Sequence, residues 1–118
     1  MRVLLLTRSF AVSGLLAEVL TAEGHELRTT ASGPEGLAEL RSGAYAAAIV
    51  DYAVDWDVPI AALARLAPVL ALEAAGAGRR RLASGVIGVL ERPIDEDAVR
   101  RAVGAIVSWR ERTPRLAS

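Results

Sequence analysis

Short apolar runs alternate along the chain with longer amphipathic stretches. The runs are "RVLLL" at 2–6, the weaker "HELRTT" at 25–30, "YAAAIVD" at 45–51, "PVLALE" at 68–73 and "VIGVLERP" at 86–93. Each is too short for a stable helix and is bounded by polar or turn residues, which predicts five β-strands. Between the first two, Val12, Leu15, Leu16, Val19 and Leu20 repeat at helical spacing and stop at Gly24, a suitable helix terminator. "SGPEGLAELRSG" at 32–43 opens with a Ser/Gly/Pro start and closes on Gly43, and "VPIAALARLA" at 58–67 reads as a short helix with Pro59 in its first turn. Gly76 and Gly78 confine any helix before the fifth strand to about residues 78–84. The last amphipathic stretch runs over 95–112, with Asp95 as N-cap and Val99, Val103, Ile106 and Val107 as its buried stripe. The tail at 113–118 is expected to fray.

Strands alternating with helices predict an α/β, doubly wound, five-stranded parallel sheet in three layers, with right-handed crossovers. Length agrees: 118 residues suit one domain, here expected over 1–112. Hydrophobic residues are 53% of the chain but aromatics only 4%, so the core must be built from Ala, Val, Leu and Ile. Small aliphatic packing suits strands covered by helices on both faces.

Charge narrows the function classes. Fourteen basic and 14 acidic residues cancel, leaving no electrostatic case for a nucleic-acid or membrane partner. The one basic cluster, Arg79-Arg80-Arg81, reads as a solvated helix face before it reads as a phosphate patch. No cysteine is present, which removes disulfides, thiolate chemistry and Cys-based metal sites. Neither a signal peptide nor a bilayer-length apolar run is visible, so a cytoplasmic protein is expected. Lys, Asn and Gln are absent altogether, which we read as base-composition bias.

Specific enzyme motifs are missing. The glycines assemble no dinucleotide or Walker loop, and Ser9, Ser13 and Ser84 have no triad arrangement around the single His25. His25 follows the helix-ending Gly24 and is expected at a helix end or a strand edge rather than in a catalytic or metal role. Asp55 and Asp57 flank Trp56 in a loop and are expected to cap and solvate it rather than hold a cation. Trp109, near the end of the last helix, is either an interface anchor or core cover.

In a doubly wound sheet, ligands and chemistry gather at the carboxyl ends of the strands. Thr7, Arg8, Asp51, Glu73 and Arg92 all fall there. The segments "RVLLLTRS", "YAAAIVDY", "PVLALEA" and "GVLERPID", in this order and over about residues 2–110, resemble the receiver domain of two-component response regulators. The resemblance implies a flavodoxin-like receiver fold with Asp51 at the phosphoacceptor position. It also implies that two acids after the first strand would hold magnesium; here they are Thr7 and Arg8. The family's hydroxyl residue after the fourth strand falls on Glu73, its lysine on Arg92 followed by Pro93 in a cis-proline or loop position, and its switch aromatic on Val89.

These replacements change the electrostatics. Three carboxylates and one ammonium leave a net negative pocket that a divalent ion neutralises, whereas Asp51 and Glu73 against Arg8 and Arg92 neutralise themselves. No magnesium or other cofactor is therefore expected. The arginines are expected either to pair with Asp51 and Glu73 or to remain ordinary rim charges in solvent.

The resulting expectation is a stand-alone, degenerate receiver without enzymatic activity. It would bind a protein partner, or a second copy of itself, through the face of the 78–84 helix, the fifth strand and the last helix. The alternatives are a working phosphoacceptor receiver using Asp51 and an unrelated small α/β ligand-binding protein.

Overall fold

The computed structural model describes residues 1–74 and 85–112. Its strands are β1 (Arg2–Leu6), β2 (Glu26–Thr30), β3 (Ala47–Asp51), β4 (Val69–Glu73) and β5 (Val86–Glu91). They form one sheet in the order β2-β1-β3-β4-β5, parallel at every pairing. The helices are α1 (Phe10–Ala22), α2 (Gly33–Ser42), α3 (Ile60–Ala64) and α4 (Glu96–Arg112). The helix expected over 78–84, with its Arg79–81 cluster, and the tail at 113–118 lie outside the described residues.

Alternation along the strands divides the core into two layers, because successive side chains leave a strand on opposite faces. Val3, Leu5, Ile49 and Leu72 pack with Leu16, Val19 and Leu20 of α1 and with Val99, Ala102 and Ile106 of α4. Leu4, Leu6, Ala48 and Val50 pack on the other side with Leu40 of α2, Leu63 of α3 and Trp56. Covered on both faces, β3 and β4 are buried along their whole length. Edge strand β2 has only Thr30 buried, which accounts for its weak apolar signal.

Local chemistry sets where the helices begin and end. Ser9 Oγ accepts the Val12 amide at 3.2 Å to start α1, and Gly24, at φ +82°, ends it as the His25 amide donates to Leu20 O. Ser32 Oγ accepts the Glu35 amide at 3.2 Å, and Asp95 Oδ1 accepts the Ala98 amide at 2.8 Å. The short helix after Pro59 is briefer than its apolar pattern suggests, covering 60–64 rather than 58–67.

Val107 corrects the expected stripe of the last helix: it is 40% exposed. Val99, Ala102, Val103 and Ile106 form the buried face, and at 100° per residue Val107 lies about 90° from its centre. Among the described residues no helix is long and apolar enough to cross a membrane.

Candidate functional site

The sheet order reverses between β1 and β3, since the chain leaves β1 toward β2 and leaves β3 toward β4. That switch point opens a crevice at the carboxyl edge. Thr7, just beyond β1, and Asp51, the last residue of β3, face each other across it, 3% exposed each.

Both oxygens of the Asp51 carboxylate accept hydrogen bonds. Thr7 Oγ1 donates to Oδ2 at 3.0 Å, Arg92 Nη2 donates to the same oxygen at 2.9 Å, and the Ala53 amide donates to Oδ1 at 3.0 Å. Thr7 is itself oriented, because its hydroxyl oxygen accepts the Ser9 amide at 3.1 Å as the chain turns into α1. Arg92 is positioned by its own backbone amide, which donates to Glu73 O at 2.9 Å. Its guanidinium therefore returns across the top of β4 to reach β3. The following Arg92–Pro93 peptide is cis.

This ion pair is unequal in its exposure. The Asp51 side chain is 4% exposed and that of Arg92 32%, so the cation keeps part of its hydration while the carboxylate keeps almost none. A buried carboxylate needs such partners, since an unpaired one costs several kcal/mol.

Arg8 takes another course from the one expected of a pair with Asp51 or Glu73. It is exposed; its Nε donates to Ala31 O at 3.3 Å and its guanidinium carbon lies 5.4 Å from the centre of the Trp56 ring. The cation–π contact and the outward carbonyl let it stay hydrated, whereas turning inward would desolvate a second guanidinium beside one already bound. Glu73 lies at the end of β4, 2% exposed, opposite Glu91 in the β4–β5 register. Val89 sits on β5 opposite Ala71 and is partly buried.

Trp56 is the participant that sequence reasoning missed. Its indole Nε1 donates to the backbone carbonyl of Asp51 at 2.8 Å, and its ring is 3% exposed under Arg8. A buried tryptophan must find an acceptor for its N–H, and the end of β3 is the nearest strand terminus in sequence. Asp55 and Asp57 form a solvated turn around it: Asp55 Oδ1 accepts the Asp57 amide at 3.1 Å, with Asp57 at φ +60°. His25 lies away from the crevice, with Nδ1 2.9 Å from the Met1 amino group. Among the described residues no cluster of three or more His, Cys, Asp or Glu side chains could hold a metal ion.

No protein-family model and no curated protein matches the sequence. Solved structures do match in fold. A response regulator receiver domain protein from Clostridium thermocellum superposes with a TM-score of 0.76 at 16% identity, over 93% of this chain and 96% of that one. The chemotaxis response regulator CheY4 of Vibrio cholerae gives 0.73 at 20%, over 89% and 97%. The receiver domain of the hybrid histidine kinase CckA gives 0.69 at 24%, over 91% and 99%. The fold is thus that of response regulator receiver domains, and the five-stranded parallel architecture read from the sequence is the observed one.

Proposed function

We propose that this chain is a receiver-type signalling module that acts by binding a protein, with Asp51 held in an internal ion pair instead of serving a magnesium-dependent phosphoryl switch. The observation that carries this reading is the closed carboxylate: Arg92 and Thr7 share one oxygen of Asp51 and the Ala53 amide takes the other.

The donor set supports it. Magnesium takes hard oxygen ligands in near-octahedral array, with one or two carboxylates and several waters. After β1 the crevice offers a hydroxyl that already donates to Asp51 and, at the next position, Arg8 in place of a carboxylate, its side chain turned outward, while Arg92 occupies Oδ2. These residues do not fit the ion. Phosphoryl transfer depends mainly on positioning and on stabilising charge on the phosphoryl oxygens. Arg92, which could supply such charge, is already engaged by the Asp51 carboxylate.

A protein surface for output is supported on the β5 and α4 side. β5 is an edge strand, its residues from Val86 to Val89 are only partly buried, and a cleft lined by Val89, Pro93, Asp95, Ala98 and Arg101 runs between it and α4. The partner there is a second protein or another copy of the chain, and no enzymatic activity is assigned.

Amide NMR of the unmodified chain with beryllofluoride and magnesium tests the reading directly. The resonances of residues 51–53 and 7–9 are expected to stay in place. Saturable shifts there, or a phosphoryl adduct on Asp51 after acetyl phosphate, would establish the working phosphoacceptor instead.

A further inference from the structure

At the opposite end of the sheet from Asp51, a cleft of about 580 Å³ opens beside the amino ends of β1, β3 and β4 and the carboxyl ends of α3 and α4. Small-molecule sites commonly span roughly 300–1,000 Å³ and combine apolar walls with a few charged groups. Tyr45, Leu66 and Trp109 supply the walls, and Leu66 is 40% exposed. The Tyr45 ring is held at its hydroxyl, which donates to Glu39 at 2.9 Å, and over its ring by Arg2, whose guanidinium carbon lies 4.7 Å from the ring centre.

Among the described residues, the charged side chains lining this cleft have one sign. Arg2, Arg65 and Arg110 line it, and among the described residues no aspartate or glutamate does. Arg2 is committed to Glu26 at 3.4 Å as well as to Tyr45. Arg65 and Arg110 make no ion pair among the described residues, leaving two guanidinium groups available beside an aromatic wall. Guanidinium groups bind carboxylates through paired, charge-assisted hydrogen bonds, and indole and phenol rings stack on flat apolar bodies.

We propose that this cleft is a binding site for a small aromatic carboxylate, with its ring against Tyr45, Leu66 and Trp109 and its carboxylate on Arg65 and Arg110. The site is independent of Asp51 and of the receiver reading, because it shares no residue with the crevice at the carboxyl edge.

The test uses 2-naphthoate and its uncharged counterpart 2-naphthalenemethanol as probes, followed by the two indole N–H resonances of the full chain. Trp109 reports on the cleft and Trp56, buried at the other end of the sheet, is the internal reference. Saturable shifts at Trp109 and at residues 44–46 and 65–67 are expected, with the acid bound about tenfold more tightly than the alcohol. In a doubly substituted chain, Arg65→Ala with Arg110→Ala, that preference should vanish while the alcohol still binds. Equal binding of acid and alcohol by the unmodified chain overturns the proposal and leaves both arginines serving the helix ends, where cations are favoured. Shifts centred on Trp56, or none at Trp109, overturn it equally. The comparison of probes on the unmodified chain decides the matter even if the double variant fails to fold.

Discussion

At Asp51 a single carboxylate is shared among a threonine, an arginine and a backbone amide, and the two ends of its ion pair are solvated unequally. That inequality predicts unequal mutational costs. Arg92→Ala leaves a buried charge with fewer donors and should cost about 2 kcal/mol in urea denaturation at neutral pH, below the cost for a fully buried pair because Arg92 is partly hydrated. Asp51→Asn leaves a cation that water can reach and should cost under about 1 kcal/mol. Equal losses in the two variants would contradict this account of the pair. Tyr45 provides a separate test through pH. Burial, with its hydrogen bond to Glu39 as a smaller cause, raises its pKa above the ordinary 10.0. The fold thus favours the neutral phenol, so this stabilisation is complete below pH 10 and is lost as pH rises through the higher folded-state value. The stability difference between the unmodified chain and Tyr45→Phe should be constant between pH 7 and about 9 and decline above pH 10.

At the scale of the elements, the start of α2 and the loop after β3 are fitted to one another. A Cβ on Gly33 would collide with the carbonyl oxygen of Trp56, so only glycine lets α2 begin against that loop. Gly33→Ala must displace Trp56 and with it the hydrogen bond to the end of β3. A loss of about 2 kcal/mol or more and a red-shifted tryptophan emission are expected. A methyl group added at Gly14, within α1, would meet nothing within 4 Å, so Gly14→Ala should instead stabilise by about 0.5–1 kcal/mol. The same thermal melts compare the pair, and a stabilised Gly33→Ala would refute the fitted contact. Neither contrast is visible in sequence, where both residues are simply glycines near or within helical patterns.

For the molecule as a whole, the arrangement predicts that magnesium is irrelevant to stability. A site with a millimolar Kd, given a tenfold excess of ion, would add about 1.4 kcal/mol. Thermal melts with 10 mM magnesium chloride and with EDTA should therefore coincide once ionic strength is matched. The layered fold makes the carboxyl edge and the amino edge separate surfaces, since the buried strands between them are packed on both faces. The proposed binding of an aromatic carboxylate at one edge and the pairing of Asp51 at the other can consequently be altered one at a time.

Most of the fold was legible in the sequence because it rests on periodicity: short apolar runs, helical repeats and helix-starting residues at Ser32 and Asp95 are local properties. The strand-end positions of Asp51, Glu73 and Arg92 followed from the same pattern. The partners of those charges did not. Arg8 and Arg92 are both arginines just past the end of a strand, yet one turns to Trp56 and Ala31 while the other reaches Asp51. A long side chain's direction is settled by competing acceptors brought near by strand order and loop packing, and by how much hydration each choice removes. Those quantities exist only once the sheet has assembled.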